Sequence, residues 1–415
     1  MTTIRRFATY CALSLPTLLA LLTLASPACS TPASIPPIRH VFVVILENQA
    51  YHVTFGPHSA APYLATTLPR RGALLSNYYG IGHASLDNYI ALISGQAPNE
   101  ETQADCAIFT EFQLRESALD AHGQALGKGC VYPAMVRTLP DQLEAAGLTW
   151  KGYMEDMGRD PHRESATCGH GTIGQPDHGL YAVRGDQYAT KHNPFIYFHS
   201  IIDDVPRCDS HVVNLQRLTE DLRSSRTTPN YVFITPNLCN DGHDAPCVDG
   251  APGGLISANG FLKKWVPEIL SSPAFRKGGL LIVTFDESDG GGADGLAACC
   301  GEQGLPGARN PPGWTGPGGG RIGAVLLSPF IRPGTVSRIP YNHYSLLRTV
   351  EDIFSLPHLG YATDSQLRSF GTDVFRKRPA VSSPHVDAPR KRSTRAPIQL
   401  APASAAAGFS EFPGR

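Results

Sequence analysis

The sequence predicts an α/β fold, in which the buried strands of a sheet are joined by crossover helices. Strand signals and helix signals alternate along the chain, which is the pattern of such a sheet. Apolar runs also end directly in polar residues, as at 40–45 and 280–285. In an open α/β sheet, ligands bind beyond the carboxyl ends of the strands. We therefore expect the polar residues at these ends to meet in one site.

The predicted elements follow one another in an order that suits crossover connections. A strand at 40–45 (HVFVVI) is followed by a helix at Ser85–Ser94, a helix at 140–146 and a strand at 148–154. The segment 211–224 (HVVNLQRLTEDLRS) has apolar residues at helical spacing and is predicted to be an amphipathic helix. The remaining elements are a strand at 230–235, a helix at 258–270, strands at 280–285 and 323–327, and a helix at 344–354.

Length and composition favour one domain with long loops. A chain of 415 residues can hold one large domain with insertions or two domains. The 41 glycines and 35 prolines indicate long ordered loops on a regular scaffold rather than a helical bundle. The segment 288–321 is crowded with both and follows the strand at 280–285. Long irregular loops are often functional, so we expect this one to cover the site.

Both ends of the chain differ in composition from the rest. Residues 1–28 have a basic start, an apolar stretch and then small residues, which is typical of a cleaved secretory signal, with a retained membrane anchor as the alternative. A lipid anchor at Cys29 is weakly supported, because Ser26 stands where bacterial lipoproteins normally have leucine. Residues 376–415 are rich in Pro, Ser, Ala and Arg and are predicted to be disordered. We expect an exported protein (periplasmic, secreted or surface-attached) with its domain at 29–375 and no transmembrane helix in the mature chain.

Eight cysteines follow Cys29. In an exported protein this even number fits disulfides better than a zinc site. Cys299 and Cys300 could bridge each other or pair elsewhere. For the other six, sequential pairing is the simplest prediction: Cys106–Cys130, Cys168–Cys208 and Cys239–Cys247.

Carboxylates at two strand ends predict a metal site. Glu47 and Asn48 follow the strand at 40–45, and Asp286 and Glu287 follow the strand at 280–285. Burying several unpaired carboxylates is costly, so their convergence calls for a metal ion or another cationic partner. Three carboxylates and an amide oxygen suit Mg²⁺, Ca²⁺ or Mn²⁺, and Zn²⁺ if a histidine joins. Taken alone, Glu47 and Asn48 could simply open a loop.

Ser85 is the candidate nucleophile. It stands at the start of a predicted helix, where its hydroxyl could be a simple N-cap. A helix N-terminus is also an anion site, and a serine bound there to a divalent ion would have a lowered hydroxyl pKa. Asn88, one turn later, could reach a phosphate oxygen. We therefore expect Ser85 to be both a metal ligand and the nucleophile.

Three histidines are candidates for further roles. His243, between Asp241 and Asp244, is a candidate metal ligand, phosphate-oxygen donor or general acid. His192 is a weaker candidate for the site. His343, at the start of the last helix, could be a capping or supporting residue.

Six motifs make the chain resemble a known family. The motifs are His40 with Glu47-Asn48, His83-x-Ser85-x-x-Asn88-Tyr89, Lys191-His192-Asn193-Pro194, the segment 236–244 (PNLCNDGHD), Phe285-Asp286-Glu287, and the segment 342–352 (NHYSLLRTVED). They run from about residue 40 to residue 354. In these motifs the chain is similar to the bacterial and fungal phosphoesterase family of secreted acid phosphatases and bacterial phospholipases C, within the alkaline-phosphatase-like superfamily.

The resemblance implies a fold and a set of roles. The expected fold is a mixed, mostly parallel sheet flanked by helices on both faces, as in alkaline phosphatase. A divalent metal would be held by residues matching Glu47, Asn48, Asp286 and Glu287. Ser85 would be the metal-bound nucleophile. Residues matching His192 and His243 would hold the phosphoryl oxygens.

Two departures from the family pattern concern the site directly. The family often has proline on one or both sides of the nucleophile motif, where this chain has Ala84 and Asp87. Asp87 would bring negative charge near an anionic substrate unless it faces away or assists a metal or a hydroxyl. The second strand-end carboxylate can be Asp in the family, whereas Glu287 is longer by one methylene.

These observations favour a secreted phosphomonoesterase of the acid-phosphatase type, with a phosphate-ester small molecule or a phospholipid headgroup as its substrate. The alternative is a phospholipase C-like phosphodiesterase, although that branch tends to carry longer chains. A non-catalytic surface binding protein is less favoured, because Glu47, Ser85 and Asp286 are all present. The formal net charge of −1 provides no global electrostatic footprint for nucleic acid, so no such partner is expected.

Overall fold

The computed structural model describes residues 35–376, which lie within one compact unit. The predicted signal segment 1–28, the proposed anchor at Cys29 and the predicted tail beyond residue 376 lie outside the described residues. Among the residues that are described, no helix is both long and apolar enough to cross a lipid bilayer.

The main sheet has eight strands: β1 (His40–Leu46), β2 (Ala73–Leu75), β3 (Trp150–Met154), β4 (Val212–Asn214), β5 (Tyr231–Thr235), β6 (Gly279–Phe285), β7 (Ala324–Leu327) and β8 (Thr335–Ser337). Their spatial order is β8-β2-β7-β6-β1-β5-β3-β4. β7 runs antiparallel to both neighbours, and all other pairs are parallel. The prediction of an α/β fold with a mixed, mostly parallel sheet is confirmed.

The central strands are covered on both faces. Every residue of β1, β5 and β6 is buried. Successive side chains of a strand point to opposite faces, so this continuous burial requires other elements on each side. The register places Leu46 opposite Phe285. Glu47 and Asp286 therefore leave the sheet side by side.

Six helices are longer than a single turn: α1 (Ser85–Ser94), α2 (Leu139–Ala145), α3 (Val205–His211), α4 (Gly254–Ser271), α5 (Pro273–Gly278) and α6 (His343–Phe354). α1 packs against α6. Short turns complete the helical elements described: Tyr51–Thr54, Tyr63–Thr67, Leu68–Arg71, Thr102–Ala104, Thr190–His192, Pro194–Tyr197, His199–Ile202, Leu215–Arg217, Leu218–Asp221 and Gly360–Thr363. Two small sheets pair Tyr78–Tyr79 with Tyr341–Asn342 and Gln113–Leu114 with Gly127–Lys128.

Local signals explain the ends of the helices. α2 begins with a capping box, in which the side chains of Thr138 and Asp141 each bond the other's backbone N–H. α6 begins at the cap Asn342, whose side chain accepts from Ser345 N. α1 ends at Gly95, which has a φ of +69° and so occupies the left-handed conformation that favours glycine.

The prediction of one helix at 211–224 is wrong. His211 ends α3, and the next three residues form β4, with Val212 opposite Gly152 of β3. Short turns at Leu215–Arg217 and Leu218–Asp221 follow. The β-branched Val212 and Val213 fit the pleated edge of the sheet, and pairing with β3 overrides the helical spacing of the apolar residues.

The cysteine prediction agrees with the structure. Disulfides join Cys106 to Cys130, Cys168 to Cys208 and Cys239 to Cys247. Of the two alternatives for Cys299 and Cys300, the structure has the bridge between neighbours.

Candidate active site

Glu47 lies at the centre of the site. It follows β1 and is fully buried. Its Oε1 accepts from Ser85 Oγ at 2.7 Å and from Asn48 Nδ2 at 3.3 Å, and it lies 3.5 Å from Lys191 Nζ. Its Oε2 contacts His192 Nε2. One carboxylate thus connects the candidate nucleophile, an amide and two cationic or ionisable side chains.

Asp286 and Glu287 approach this centre from β6. Asp286 Oδ1 accepts from the backbone N of Asn48 at 3.0 Å and from Glu287 N at 2.6 Å. Asn48 has a φ of +49°, a left-handed conformation that asparagine tolerates better than most residues. Glu287 Oε2 accepts from His83 Nδ1 at 2.8 Å. The longer Glu287 side chain therefore has a histidine partner.

His343 supports Asp286 from behind. Its Nε2 donates to the Asp286 carbonyl, and its Nδ1 accepts from Tyr78 Oη at 3.0 Å. Burial lowers the pKa of His343 to about 4, so the ring is neutral at ordinary pH. His343 is therefore a supporting residue, one of the roles that the sequence suggested.

Ser85 is the first residue of α1, and Ala84 is the cap residue. The hydroxyl of Ser85 makes no capping bond but donates to Glu47 Oε1. The interpretation of Ser85 as a simple N-cap is therefore wrong. Leu86 N instead donates to Asp105 Oδ1 at 3.0 Å, so a side chain from a later loop satisfies the helix start.

Asn88 organises the loop before α1. Its Oδ1 accepts from the backbone N of Ile81 and Gly82, at 2.7 and 3.1 Å. Its Nδ2 donates to the carbonyls of Gly82 and Ala84, at 3.1 and 3.0 Å. These four bonds use the full capacity of the amide. A direct contact between Asn88 and a phosphate oxygen remains a prediction, and it would require one of these bonds to break.

His192 stands between two carboxylates. Its ring is stacked on Tyr89, with centroids 5.0 Å apart, and its Nδ1 lies 3.9 Å from Asp241 Oδ2. Glu47, His192 and Asp241 each offer a ligand atom, and the three atoms lie within 4.8 Å of one another. His192 is thus placed as a candidate metal ligand, in addition to the predicted phosphoryl contact.

His243 lies on the same loop as Asp241 but points elsewhere. About half of its side chain is exposed, and its Nδ1 lies 3.5 Å from Asp244 Oδ1. Its backbone N donates to Asp241 Oδ1 at 3.0 Å. In this structure His243 therefore helps to orient Asp241, and its predicted catalytic role stays a prediction.

The loop at 288–321 packs against the segment that leads into α1, and its predicted role in covering the site stays a prediction. It has no helix or strand between β6 and β7. Ser288 N donates to Gly319 O, and Gly319 N donates to Gly80 O. A Cβ at Gly319 would lie 2.1 Å from Gly82 O, so only glycine permits this close approach. The loop is thereby held against the segment that leads into α1.

Buried carboxyl groups crowd the interior of the site. Burial raises the pKa of Asp286, Glu287 and Asp241 well above the usual range, and the charge of Glu47 raises each further. Burial acts in the same direction on Glu47, but the charges of His192 and Lys191 outweigh it and lower the pKa of Glu47. The carboxylates outnumber the cations that face them.

The residues present fit a divalent metal ion. Around Glu47, three oxygens are buried without a hydrogen-bond partner among the described residues: Asn48 Oδ1, Asp286 Oδ2 and Asp241 Oδ2. Glu47 Oε2 has only its contact with His192 Nε2. Such atoms are expensive to bury unless an ion or another polar group satisfies them. Carboxylate and amide oxygens are the ligands that hard divalent cations prefer.

Asp87, which departs from the family pattern, faces into the protein. Both of its oxygens are buried and lack a hydrogen-bond partner among the described residues. The carboxylate packs directly on Gly82, where a Cβ would lie 2.2 Å from Oδ1. Burial and the charges of Glu287 and Asp105 raise the pKa of Asp87 well above its usual range.

Three residues of the site were not among the candidates from the sequence: Asp241, Lys191 and His83. All three stand inside the motifs quoted above, directly beside or two residues from a chosen candidate. Asp241 precedes a glycine in a polar loop after β5, so its position at a strand end was the signal available. Lys191 and His83 reach the site through turns, whose geometry the sequence does not specify.

Comparison with known proteins finds a matching sequence family and several relatives. The sequence model of the Phosphoesterase family matches residues 58–357. A probable acid phosphatase of Kluyveromyces lactis is 25% identical over 78% of this chain and 59% of that protein. A phosphatidylinositol-3-phosphatase of Mycobacterium tuberculosis is 25% identical over 80% of this chain and 82% of that protein.

Two further matches are more distant or more local. Non-specific phospholipase C4 of Arabidopsis thaliana is 32% identical over 44% of this chain and 35% of that protein. The solved structure of a Vibrio parahaemolyticus protein in the alkaline phosphatase superfamily superposes on this chain with a TM-score of 0.45 and 12% identity. The match covers 78% of this chain and 68% of that one. The chain spans 59% and 54% of the length of two acid phosphatases that it matches.

Proposed function

The chain belongs to the phosphoesterase family, and on this basis we propose that it is an exported, metal-dependent hydrolase of phosphoric esters. The specific activity proposed is that of an acid-phosphatase-like phosphomonoesterase. Relatives named as acid phosphatases support this choice of activity. The four disulfides among the described residues support export. Disulfides form and persist in oxidising compartments, which fits export.

The metal would be held around Glu47. The proposed ligands are Glu47, Asn48, Ser85, Asp286 and Glu287; Asp241 and His192 offer a neighbouring set that shares Glu47. A divalent ion bound there would stabilise negative charge on the phosphoryl oxygens and lower the pKa of the serine hydroxyl. Ca²⁺, Mg²⁺, Mn²⁺ and Zn²⁺ are all compatible with these donors.

Ser85 would attack phosphorus. The Ser85 hydroxyl donates a hydrogen bond to Glu47 Oε1, so Glu47 would accept the proton that the hydroxyl loses. The alcohol departs and the phosphoryl group stays on Ser85. Water then attacks phosphorus, which frees Ser85 and releases phosphate. α1 begins at Ser85, and backbone N–H groups of its first turn other than Leu86 N, which Asp105 already satisfies, would bind the phosphoryl oxygens.

Lys191 and the histidines would stabilise the remaining negative charge on the phosphoryl oxygens. Lys191 and His192 both contact Glu47 and therefore stand next to the attacking hydroxyl. We retain His243 as a proposed donor to the phosphoryl or leaving oxygen, which would require its ring to turn from Asp244 towards the site. Asn88 is retained in the same sense, as a proposed phosphate contact.

The single observation that carries this proposal is the bond from Ser85 Oγ at a helix start to a buried carboxylate inside a carboxylate cluster. The experiment is hydrolysis of p-nitrophenyl phosphate by the metal-loaded protein, with and without EDTA, in wild type and Ser85→Ala. We expect Ser85→Ala to abolish most turnover, and acid quenching of wild type to trap a phosphopeptide containing Ser85. Near-native turnover in Ser85→Ala would contradict the serine mechanism.

Ser94→Ala is the matched control. Ser94 is also a buried serine of α1, but its hydroxyl donates to Ile90 O at the other end of the helix. The substitution therefore tests the loss of a buried hydroxyl without removing the nucleophile. We expect Ser94→Ala to retain turnover.

A phospholipase C-like phosphodiesterase is the second candidate. The local identity of 32% to a plant non-specific phospholipase C favours it. Parallel assays of p-nitrophenyl phosphate and bis(p-nitrophenyl) phosphate separate the two activities. A higher kcat/KM for the diester would replace the monoesterase proposal.

A further inference from the structure

A polar cavity of about 490 Å³ lies at the same edge of the sheet as the candidate active site. Its wall includes Glu155, which follows β3, and Asn240, which precedes Asp241. The registers of β1, β5 and β3 place Glu155 level with the end of β1, two strands away. Two interstrand spacings are about 10 Å. This distance is comparable with the length of a monosaccharide phosphate, and the volume lies in the range of small-molecule sites.

The wall presents acceptors without partners. Gln187 is 5% exposed, its Nε2 donates to Asp249 Oδ2 at 3.3 Å, and its Oε1 is buried with no partner among the described residues. Glu155 Oε2 accepts from Asn237 N and Asn240 Nδ2, both at 3.0 Å. Glu155 Oε1 makes no hydrogen bond to the residues described here. A ligand with several hydroxyl donors would satisfy both oxygens.

The charged residues of the wall disfavour some classes of ligand and leave others. The carboxylates of Glu155, Asp156 and Asp249 disfavour a second anionic group. Of the two arginines in the wall, Arg159 is already 3.1 Å from Asp156 Oδ1, whereas Arg184 is exposed and could donate to hydroxyl oxygens. None of the described residues lining the cavity is aromatic, so a quaternary ammonium group would find no ring face to bind. Neutral polyols fit best.

We propose that this cavity binds the polyhydroxylated alcohol of a phosphate monoester, such as a sugar phosphate, while its phosphoryl group lies at Ser85. Glu155 and Gln187 are the specificity-determining residues. The inference rests on the proposed phosphomonoesterase function and adds the class of its substrate.

The first test uses wild-type, metal-loaded protein and two esters of primary alcohols, glucose 6-phosphate and n-hexyl phosphate. Because the reacting bond is of the same type, the ratio of their kcat/KM values reports recognition of the hydroxyls. We expect at least a tenfold preference for glucose 6-phosphate, since one or two hydrogen bonds to buried acceptors contribute about this factor. Equal values, or a preference for n-hexyl phosphate, would overturn the proposal while leaving the phosphatase function intact. Failure to hydrolyse these esters and p-nitrophenyl phosphate would instead reject the phosphatase function itself, and the proposal with it.

The second test changes the acceptors: Gln187→Leu deletes one, and Glu155→Gln puts an NH2 donor in place of Oε1. Gln187→Leu and Glu155→Gln should each lower kcat/KM for glucose 6-phosphate by about tenfold and leave that for n-hexyl phosphate nearly unchanged. The rate with n-hexyl phosphate also reports folding. Gln303→Leu is the control, because Gln303 lines a separate cavity beside the Cys299–Cys300 bridge. Unchanged selectivity in both folded variants would contradict the proposal; if neither variant folds, the wild-type comparison decides.

Discussion

Lys191 Nζ lies 3.5 Å from Glu47 Oε1, at the point where Glu47 also accepts from Ser85. The same ammonium lies 3.3 Å from Asp105 Oδ2. Burial would lower the pKa of Lys191, but the charges of Glu47 and Asp105 outweigh this effect and raise it. Lys191 therefore remains charged at any pH near neutrality. It links Glu47 at the end of β1 to Asp105, whose carboxylate accepts from the first turn of α1.

Replacing Lys191 by methionine removes this charge and keeps most of the side-chain volume. We expect kcat/KM for p-nitrophenyl phosphate to fall at least tenfold, because less positive charge would face the phosphoryl group. Affinity for divalent metal should stay equal or increase, because the carboxylates lose a competing cation. Lys151→Met is the control: Lys151 pairs with Asp221 at 2.8 Å on β3, away from Glu47. A full wild-type rate in Lys191→Met would show that Lys191 only balances charge.

His343 makes a second prediction possible, because it satisfies two buried groups at once. His343→Phe would leave the Tyr78 hydroxyl and the Asp286 carbonyl unpaired, and we expect a loss of about 1–3 kcal/mol in the free energy of unfolding. Tyr78→Phe removes only one of these bonds and should cost less. Chemical denaturation of both variants tests this order. Equal stability of His343→Phe and wild type would show that the bond to Asp286 does not support the site.

Much of the site could be predicted because parallel strands align their carboxyl ends. Glu47 and Asp286 each follow an unbroken apolar run, and their neighbouring positions follow from the pairing of β1 with β6. Ser85 was predictable because a polar residue precedes an apolar helical pattern. Their roles in binding metal and substrate remain predictions.

What the sequence did not predict depends on contacts between distant segments. The segment 211–224 has helical spacing, yet pairing of Val212 with β3 makes part of it a strand. The sequence also did not predict that four backbone bonds hold Asn88 to the loop before α1. Nor did it predict that the His243 side chain, next to Gly242, is about half exposed. The roles of both residues at the substrate stay predictions. None of these outcomes is encoded in local spacing.

Metal binding should depend on Asp286 more than on Asp241. We expect Mn²⁺ or Mg²⁺ to raise the Tm of the wild type and EDTA to reverse this, because a ligand that binds only the folded state stabilises it. Asp286→Asn should lose this rise in Tm, since Asp286 belongs to the proposed ligand set, whereas Asp241, whose Oδ2 is also unpaired, belongs to the neighbouring set with His192. Asp241→Asn should keep most of it. The opposite order would move the metal to the set of Glu47, His192 and Asp241.

Glu351, in α6, provides a prediction on the pH dependence of stability. It is fully buried; its Oε1 accepts from Leu359 N at 2.8 Å, and its Oε2 has no partner among the described residues. Burial raises the pKa of Glu351 from about 4.5 to about 9, and the charge of Asp352 adds to this effect. The folded protein therefore keeps the proton of Glu351 at neutral pH, whereas the unfolded chain releases it.

A raised carboxyl pKa stabilises the folded state only while the unfolded chain is also protonated. The contribution is fully present below about pH 4.5 and is lost as the pH rises towards 9, with a slope of up to about 1.4 kcal/mol per pH unit. Glu351→Gln copies the neutral acid, so its stability should lack this slope. We expect the Tm of Glu351→Gln to match wild type near pH 4.5 and to exceed it increasingly up to pH 9. Glu268→Gln, at a partly exposed position of α4 where Glu268 accepts from Thr219 Oγ1, should show no such trend. Parallel Tm curves for Glu351→Gln and wild type would mean that Glu351 is ionised in the folded protein.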